Sequence, residues 1–221
     1  MRCAPAFIGR NATEANVTAV RSPKILHLFT HGFFLGTPTK KPPISSDQST
    51  FEPARRDLSG VLADPMRRSG IALAGANDAL VLWEQPVQHE ATNLINPAND
   101  GILTAEEAAE MDLKGTWLVT LGACDTGTGD LAVGEGVMGL RRAFALTGAR
   151  NVLMTLWPVG ETYTPKFLLQ FYKSALDTGD PSTALAELQR KELRDGLENE
   201  GVSATVKKSG AFVINSRNLS K

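Results

Sequence analysis

"TWLVTLGACDTGTGD", Thr116 to Asp130, is the stretch on which the fold turns. Its first eight residues, through Ala123, are apolar and partly β-branched, the composition of a strand. Polar alternation is missing. Both faces of that strand are therefore expected to be covered, as in parallel sheets. The run then breaks into glycines and other small residues. At that break stands Cys124, one of two cysteines in 221 residues.

The same pattern recurs outward from this centre. "KILHLF" (Lys24 to Phe29) follows Pro23, "GIALAGA" spans Gly70 to Ala76, and "NVLMTLW" (Asn151 to Trp157) stops at Pro158. "GAFVI", Gly210 to Ile214, is a fifth strand in this reading. Helical patterns lie between them. "LTAEEAAEMDL" offers Thr104 as N-cap and Glu107 as its capping-box partner. "GEGVMGLRRAFALTG" places Val137, Leu140 and Phe144 on one face and ends at Gly148. "TPKFLLQFYKSALDTG" has Pro165 in its first turn and Phe167, Leu168, Phe171 and Tyr172 at helical spacing. "DPSTALAELQRKELRDG" opens with Asp180 as N-cap and Pro181 just inside. Strands alternating with helices predict an α/β fold with a mainly parallel sheet. The chain, 1–221, reads as one domain. Thr37 to Arg56, rich in Pro, Ser, Thr and charge, reads as a long flexible loop, and Trp83 to Asp100 as a second irregular segment.

Composition narrows the function. Formal net charge is −1, with 42% hydrophobic and 21% charged residues. That leaves no electrostatic footprint for nucleic acid or an anionic membrane. No apolar run approaches the roughly 18 residues of a membrane helix. The opening "MRCAPAFIGRNATEANV" has no signal-type apolar core. Cys3 and Cys124 make no disulfide framework, and a reducing, cytoplasmic setting is expected.

Histidine supplies the possible chemistry. His31 follows the first strand and Cys124 follows the third, and sites in open α/β sheets form beyond the carboxyl ends of strands. An imidazole near a thiol raises its thiolate fraction and its nucleophilicity. Gly32 lets a backbone N–H approach a carbonyl, and with the Cys124 N–H it would form an oxyanion hole. The plainer reading stands beside this one. A lone cysteine is often a buried filler, and composition alone favours that role for Cys124. His27, mid-strand among apolar neighbours, reads as a hydrogen-bonded core histidine, and His89 as a surface loop residue. "GEGVMG", Gly134 to Gly139, matches a dinucleotide fingerprint, but the strand does not lead straight into its first glycine.

Taken in order, "GRNATEANV", "SPKILHLFTHGFFLG", "DPMRRSGIALAGAN", "DGILTAEEAAEMDLKGTWLVTLGACDTGTGDLAVGEGVMGLRRAFALTGARNVLMTLWPV" and "FLLQFYKSALDTGDPSTALAELQ" resemble the CHAT domain, a family of caspase-like cysteine peptidases in the caspase and separase clan. The resemblance covers about Ile8 to Leu193. It implies a caspase-like, mainly parallel sheet with helices on both faces. It implies a His–Cys dyad at His31 and Cys124, an oxyanion hole from Gly32 and Cys124, and peptide-bond cleavage through a thioester without metal or cofactor. Asp125 falls where members carry an acidic residue beside the nucleophile, a candidate for substrate binding or for structural hydrogen bonding. The resemblance also implies tetratricopeptide-repeat partners, here expected on another chain, and a bacterial setting of defence or signalling. The expected function is a cysteine endopeptidase acting on protein or peptide substrates. A non-catalytic CHAT interaction module is the alternative, and a nucleotide-binding enzyme using "GEGVMG" a distant third.

Overall fold

Residues 6–34, 66, 69–79, 99–122 and 133–217 are described by the structure, a computed structural model. In chain order the elements are α1 (Glu14–Thr18), β1 (Ile25–Leu28), β2 (Gly32–Phe34), β3 (Ser69–Ala72), β4 (Ile102–Thr104), α2 (Ala105–Ala109), β5 (Leu118–Leu121), α3 (Val133–Leu146), β6 (Asn151–Thr155), α4 (Tyr163–Thr178), α5 (Pro181–Asn199), α6 (Val202–Ser209) and β7 (Phe212–Ser216). Four strands form the main sheet in the order β1-β5-β6-β7. β1 pairs with β5 and β5 with β6 in parallel, and β7 closes the far edge antiparallel to β6. The expected α/β architecture, mainly parallel, is the one observed.

Strand residues alternate between two apolar layers, as the pleat requires. Leu26, Leu28, Val119, Leu121, Val152 and Met154 meet Ala105 and Ala108 of α2 and Leu140, Ala143 and Phe144 of α3. Leu118, Leu153 and Phe212 meet Phe167, Leu168 and Phe171 of α4 and Leu185 and Leu188 of α5. Helices therefore cover both faces, and the continuous apolar runs are explained. Phe144 and Phe171 are fully buried, each worth roughly 2–3 kcal/mol of transfer from water.

Local chemistry sets the helix ends. Thr104 and Glu107 form the capping box at α2. The Asp180 carboxylate accepts from the N–H groups of Ser182 and Thr183, and Pro181 opens α5. Gly179, at φ 72°, ends α4 in the left-handed conformation that glycine adopts without strain.

Several elements differ from the reading of the sequence. The apolar run from Gly70 stops as a strand at Ala72, because the chain turns at Ala74 and Gly75. β3 is also not part of the parallel sheet. It is the centre of a separate antiparallel sheet, β2-β3-β4. β2 and β4 have three residues each, too few to show a periodicity. α5 runs through Gly196 to Asn199 because α6 packs onto that glycine: a Cβ there would lie 2.2 Å from Thr205 Oγ1. The segment Thr37–Arg56 and most of 83–100 lie outside the described residues.

α1 docks on the turn before β4 through a buried carboxylate. Glu14 is 1% exposed, and its Oε2 accepts from the Gly101 N–H at 3.2 Å. Asn99 Oδ1 accepts from the Ala15 N–H, and Asp100 Oδ1 from the Ile102 N–H. Gly101 sits at φ 83°, with no room for a side chain. Burial pushes the Glu14 carboxyl from an ordinary 4.5 up to about 7, and the neighbouring charges of Glu107 and Asp100 add to the rise.

Candidate active site

β1 and β5 end side by side. The register pairs Ile25 with Leu118, His27 with Thr120 and Leu28 with Leu121. Each pair is separated by 93 positions (118 − 25, 120 − 27, 121 − 28). The Gly122 N–H donates to Leu28 O at 2.8 Å, the bond that closes the last pair, Leu28 with Leu121. His31 follows β1 by three residues and lies at the start of the small sheet. It is exposed.

Two bonds to β3 fix the backbone around His31. The Ala72 N–H donates to His31 O at 2.7 Å, and the Thr30 hydroxyl donates to Ala72 O. Hydrogen-bonded and open pairs alternate along an antiparallel ladder. His31 and Ala72 form a bonded pair, so Gly32 and Ile71, the next pair, are an open one. The Gly32 N–H therefore turns away from β3, toward the outer side of an edge strand.

Cys124 and Asp125 lie outside the described residues, as do Cys3 and His89. The last described residue before Cys124 is Gly122. The ring of Phe29 occupies the space beside it. An added Cβ would meet Phe29 Cδ2 at 2.2 Å, which requires glycine at that position while the ring stays in place. Phe29 is itself 55% exposed.

His27 is hydrogen-bonded, as the sequence suggests, but it is not a core residue. It lies on the edge strand with its ring partly open to water. Phe29 stacks on one side with ring centroids 6.0 Å apart, and Tyr172 of α4 is 5.8 Å away. Desolvation by these rings holds the imidazole below its usual range. The Tyr172 hydroxyl donates to Thr120 Oγ1 at 2.7 Å and lies 2.7 Å from His27 Nδ1. With its proton given to Thr120, it can accept from His27 in the tautomer that carries the proton on Nδ1. Burial pushes the Tyr172 phenol up to about 12, so this hydroxyl remains a donor at neutral pH.

Sequence reasoning missed Phe29, Thr120 and Tyr172. For Thr120 a signal existed: it precedes Cys124 by as many positions as His27 precedes His31. Nothing in the sequence points from Tyr172 to β1. Gly134 to Gly139, the fingerprint-like run, lie within α3 rather than in a turn between strand and helix, and β5 has ended well before them, at Leu121. That is not the strand–turn–helix geometry in which those glycines hold a pyrophosphate. Among the described residues, no cluster of three or more His, Cys, Asp or Glu could hold a metal ion, and no helix is long and apolar enough to cross a membrane.

The chain is similar to known proteins. Two similar curated proteins are both named tetratricopeptide repeat protein 28. The human one is 34% identical over 94 residues, and the mouse one 32% identical over the same length. The match takes in 42% of this chain and 4% of each relative, so the chain spans a small part of their length. The sequence pattern of the CHAT domain matches residues 2–209. That match spans nearly the whole chain, and the chain belongs to the CHAT domain family.

Proposed function

We propose that this protein is a cysteine endopeptidase that cleaves protein or peptide substrates with His31 and Cys124. One observation carries the reading: β1 and β5 are parallel neighbours with a register of 93 positions. His31 and Cys124 are also 93 positions apart (124 − 31), each three residues beyond its strand. In a parallel pair, a spacing equal to the register supports two residues standing at the same edge.

Cys124 Sγ, as thiolate with His31 as its imidazolium partner, attacks the scissile carbonyl carbon. The Gly32 and Cys124 N–H groups receive the oxyanion. The C–N bond breaks and His31 gives its proton to the leaving amine, leaving a thioester. Water then attacks the thioester while His31 takes its proton; the C–S bond breaks, releasing the acid and restoring the thiolate–imidazolium pair. Asp125 is proposed to contact the substrate beside the cut. The outward-turned Gly32 N–H supports the oxyanion role. The repeat-containing relatives support a tetratricopeptide-repeat protein or domain as partner. The whole chain is proposed to be one domain working in a cytoplasmic setting.

The test is a mixed-peptide library read by mass spectrometry, with and without candidate repeat-protein partners. Wild type should cleave, and His31→Ala and Cys124→Ala should not, while both remain folded. Equal cleavage by wild type and Cys124→Ala would overturn the mechanism. Partner binding with no product under any condition would favour the non-catalytic module.

A further inference from the structure

We propose that Tyr172 is a positioning residue for the His31–Cys124 pair, because its hydroxyl bridges the cross-strand pair His27 and Thr120 and locks β1 to β5. The inference rests on the peptidase reading above and deepens it.

His27 and Thr120 are register partners, and one hydroxyl from α4 contacts both. They precede the proposed catalytic residues by the same four positions (31 − 27, 124 − 120). Phe29 and Gly122 come halfway, two positions on in each strand, and the Phe29 ring lies against Gly122. The pairs 27/120 and 29/122 share one offset at the two-residue period of a strand face, and positions 31 and 124 continue the same count in the sequence. The first is held by hydrogen bonds and the second by ring packing. The first also orders the second, because Phe29 stacks on His27.

β1 needs this support. It is a four-residue strand at the sheet edge, bonded to β5 alone among the described strands. Short edge strands with one partner are weakly held. Tyr172, by contrast, stands on a firmly anchored helix, next to Phe171, which is fully buried. The bridge also resists opening. Thr120 is 1% exposed, and without Tyr172 its hydroxyl would be buried with one partner fewer.

The test is the rate at which iodoacetamide alkylates Cys124 as a function of pH, resolved by peptide mass spectrometry. Full-length wild type, His31→Ala, Tyr172→Phe and Thr120→Val are compared, the last two cutting the bridge at different ends. In wild type, Cys124 should react below pH 7 faster than a free thiol, and His31→Ala should abolish that advantage. Tyr172→Phe and Thr120→Val should each lower the rate at pH 6 by about tenfold while circular dichroism stays native. A merely structural role would lower the urea midpoint and leave the profile in place. Profiles of both bridge variants within about twofold of wild type, with His31→Ala still altered, would overturn the positioning role and leave the peptidase reading intact. No effect of His31→Ala would instead sink the peptidase reading, and the positioning role with it.

Discussion

Replacing Glu14 with glutamine should stabilise the protein at neutral and alkaline pH and remove most of the pH dependence expected of wild type. The carboxyl is buried at the junction of α1 with the turn before β4, facing Glu107 of α2 and Asp100 of the turn. Its pKa is about 7 in the folded chain against an ordinary 4.5. Between those values the folded state keeps a proton that the unfolded state has lost. Stability is then fully present below about pH 4.5 and is lost as pH rises through 7. Each pKa unit is worth about 1.4 kcal/mol, so the loss approaches roughly 3 kcal/mol above pH 8. Glutamine keeps an oxygen to accept from the Gly101 N–H and carries no charge. His27 acts in the opposite sense, because its lowered pKa costs stability as pH falls. The difference between wild type and Glu14→Gln isolates the carboxyl. Urea unfolding at pH 5, 6, 7 and 8 measures it: the two proteins should converge at pH 5 and diverge steadily above. Parallel curves across that range would refute the reasoning.

Other perturbations test separate parts of the structure. Gly101→Ala places a Cβ 2.5 Å from the Ala76 backbone nitrogen at a positive φ, and should cost roughly 3 kcal/mol or more in chemical denaturation, or prevent folding. Phe171→Ala empties a fully buried site between α4 and the sheet and should cost about 3–5 kcal/mol by the same measurement. Phe29→Ala should rehydrate His27 and raise its pKa toward the ordinary value, read from the imidazole resonances by NMR; an unchanged value would show that the ring does not desolvate it. Gly122→Ala should displace the Phe29 ring and reduce peptide cleavage, and Phe29→Ala in the same chain should restore part of the loss.

Much of the architecture is written in local chemistry. The runs around Leu26, Val119 and Leu153 are apolar without alternation, because helices cover both faces of the main sheet. Thr104 with Glu107, Asp180 with Pro181, and Gly179 mark helix ends through bonds to backbone groups within a few residues. Such signals survive in sequence because both partners lie on the same short stretch. β2 and β4 were illegible for the converse reason. Three residues carry no period, and each becomes a strand only because β3 lies beside it. Gly196 reads as a stop signal, and only the approach of Thr205 makes it a packing site instead.

The sequence by itself determined the types of residue available to the site: an imidazole and a thiol, each after an apolar strand, beside glycines. Tertiary structure alone decided that β1 and β5 are parallel neighbours and that their register matches the spacing of His31 and Cys124. It also brought Tyr172 to His27 across 145 positions. Such contacts arise when helices dock on a sheet, and the docking depends on the shape of the whole core rather than on any local pattern. A hydroxyl on α4 therefore gives no sign in the sequence of the two strands it joins.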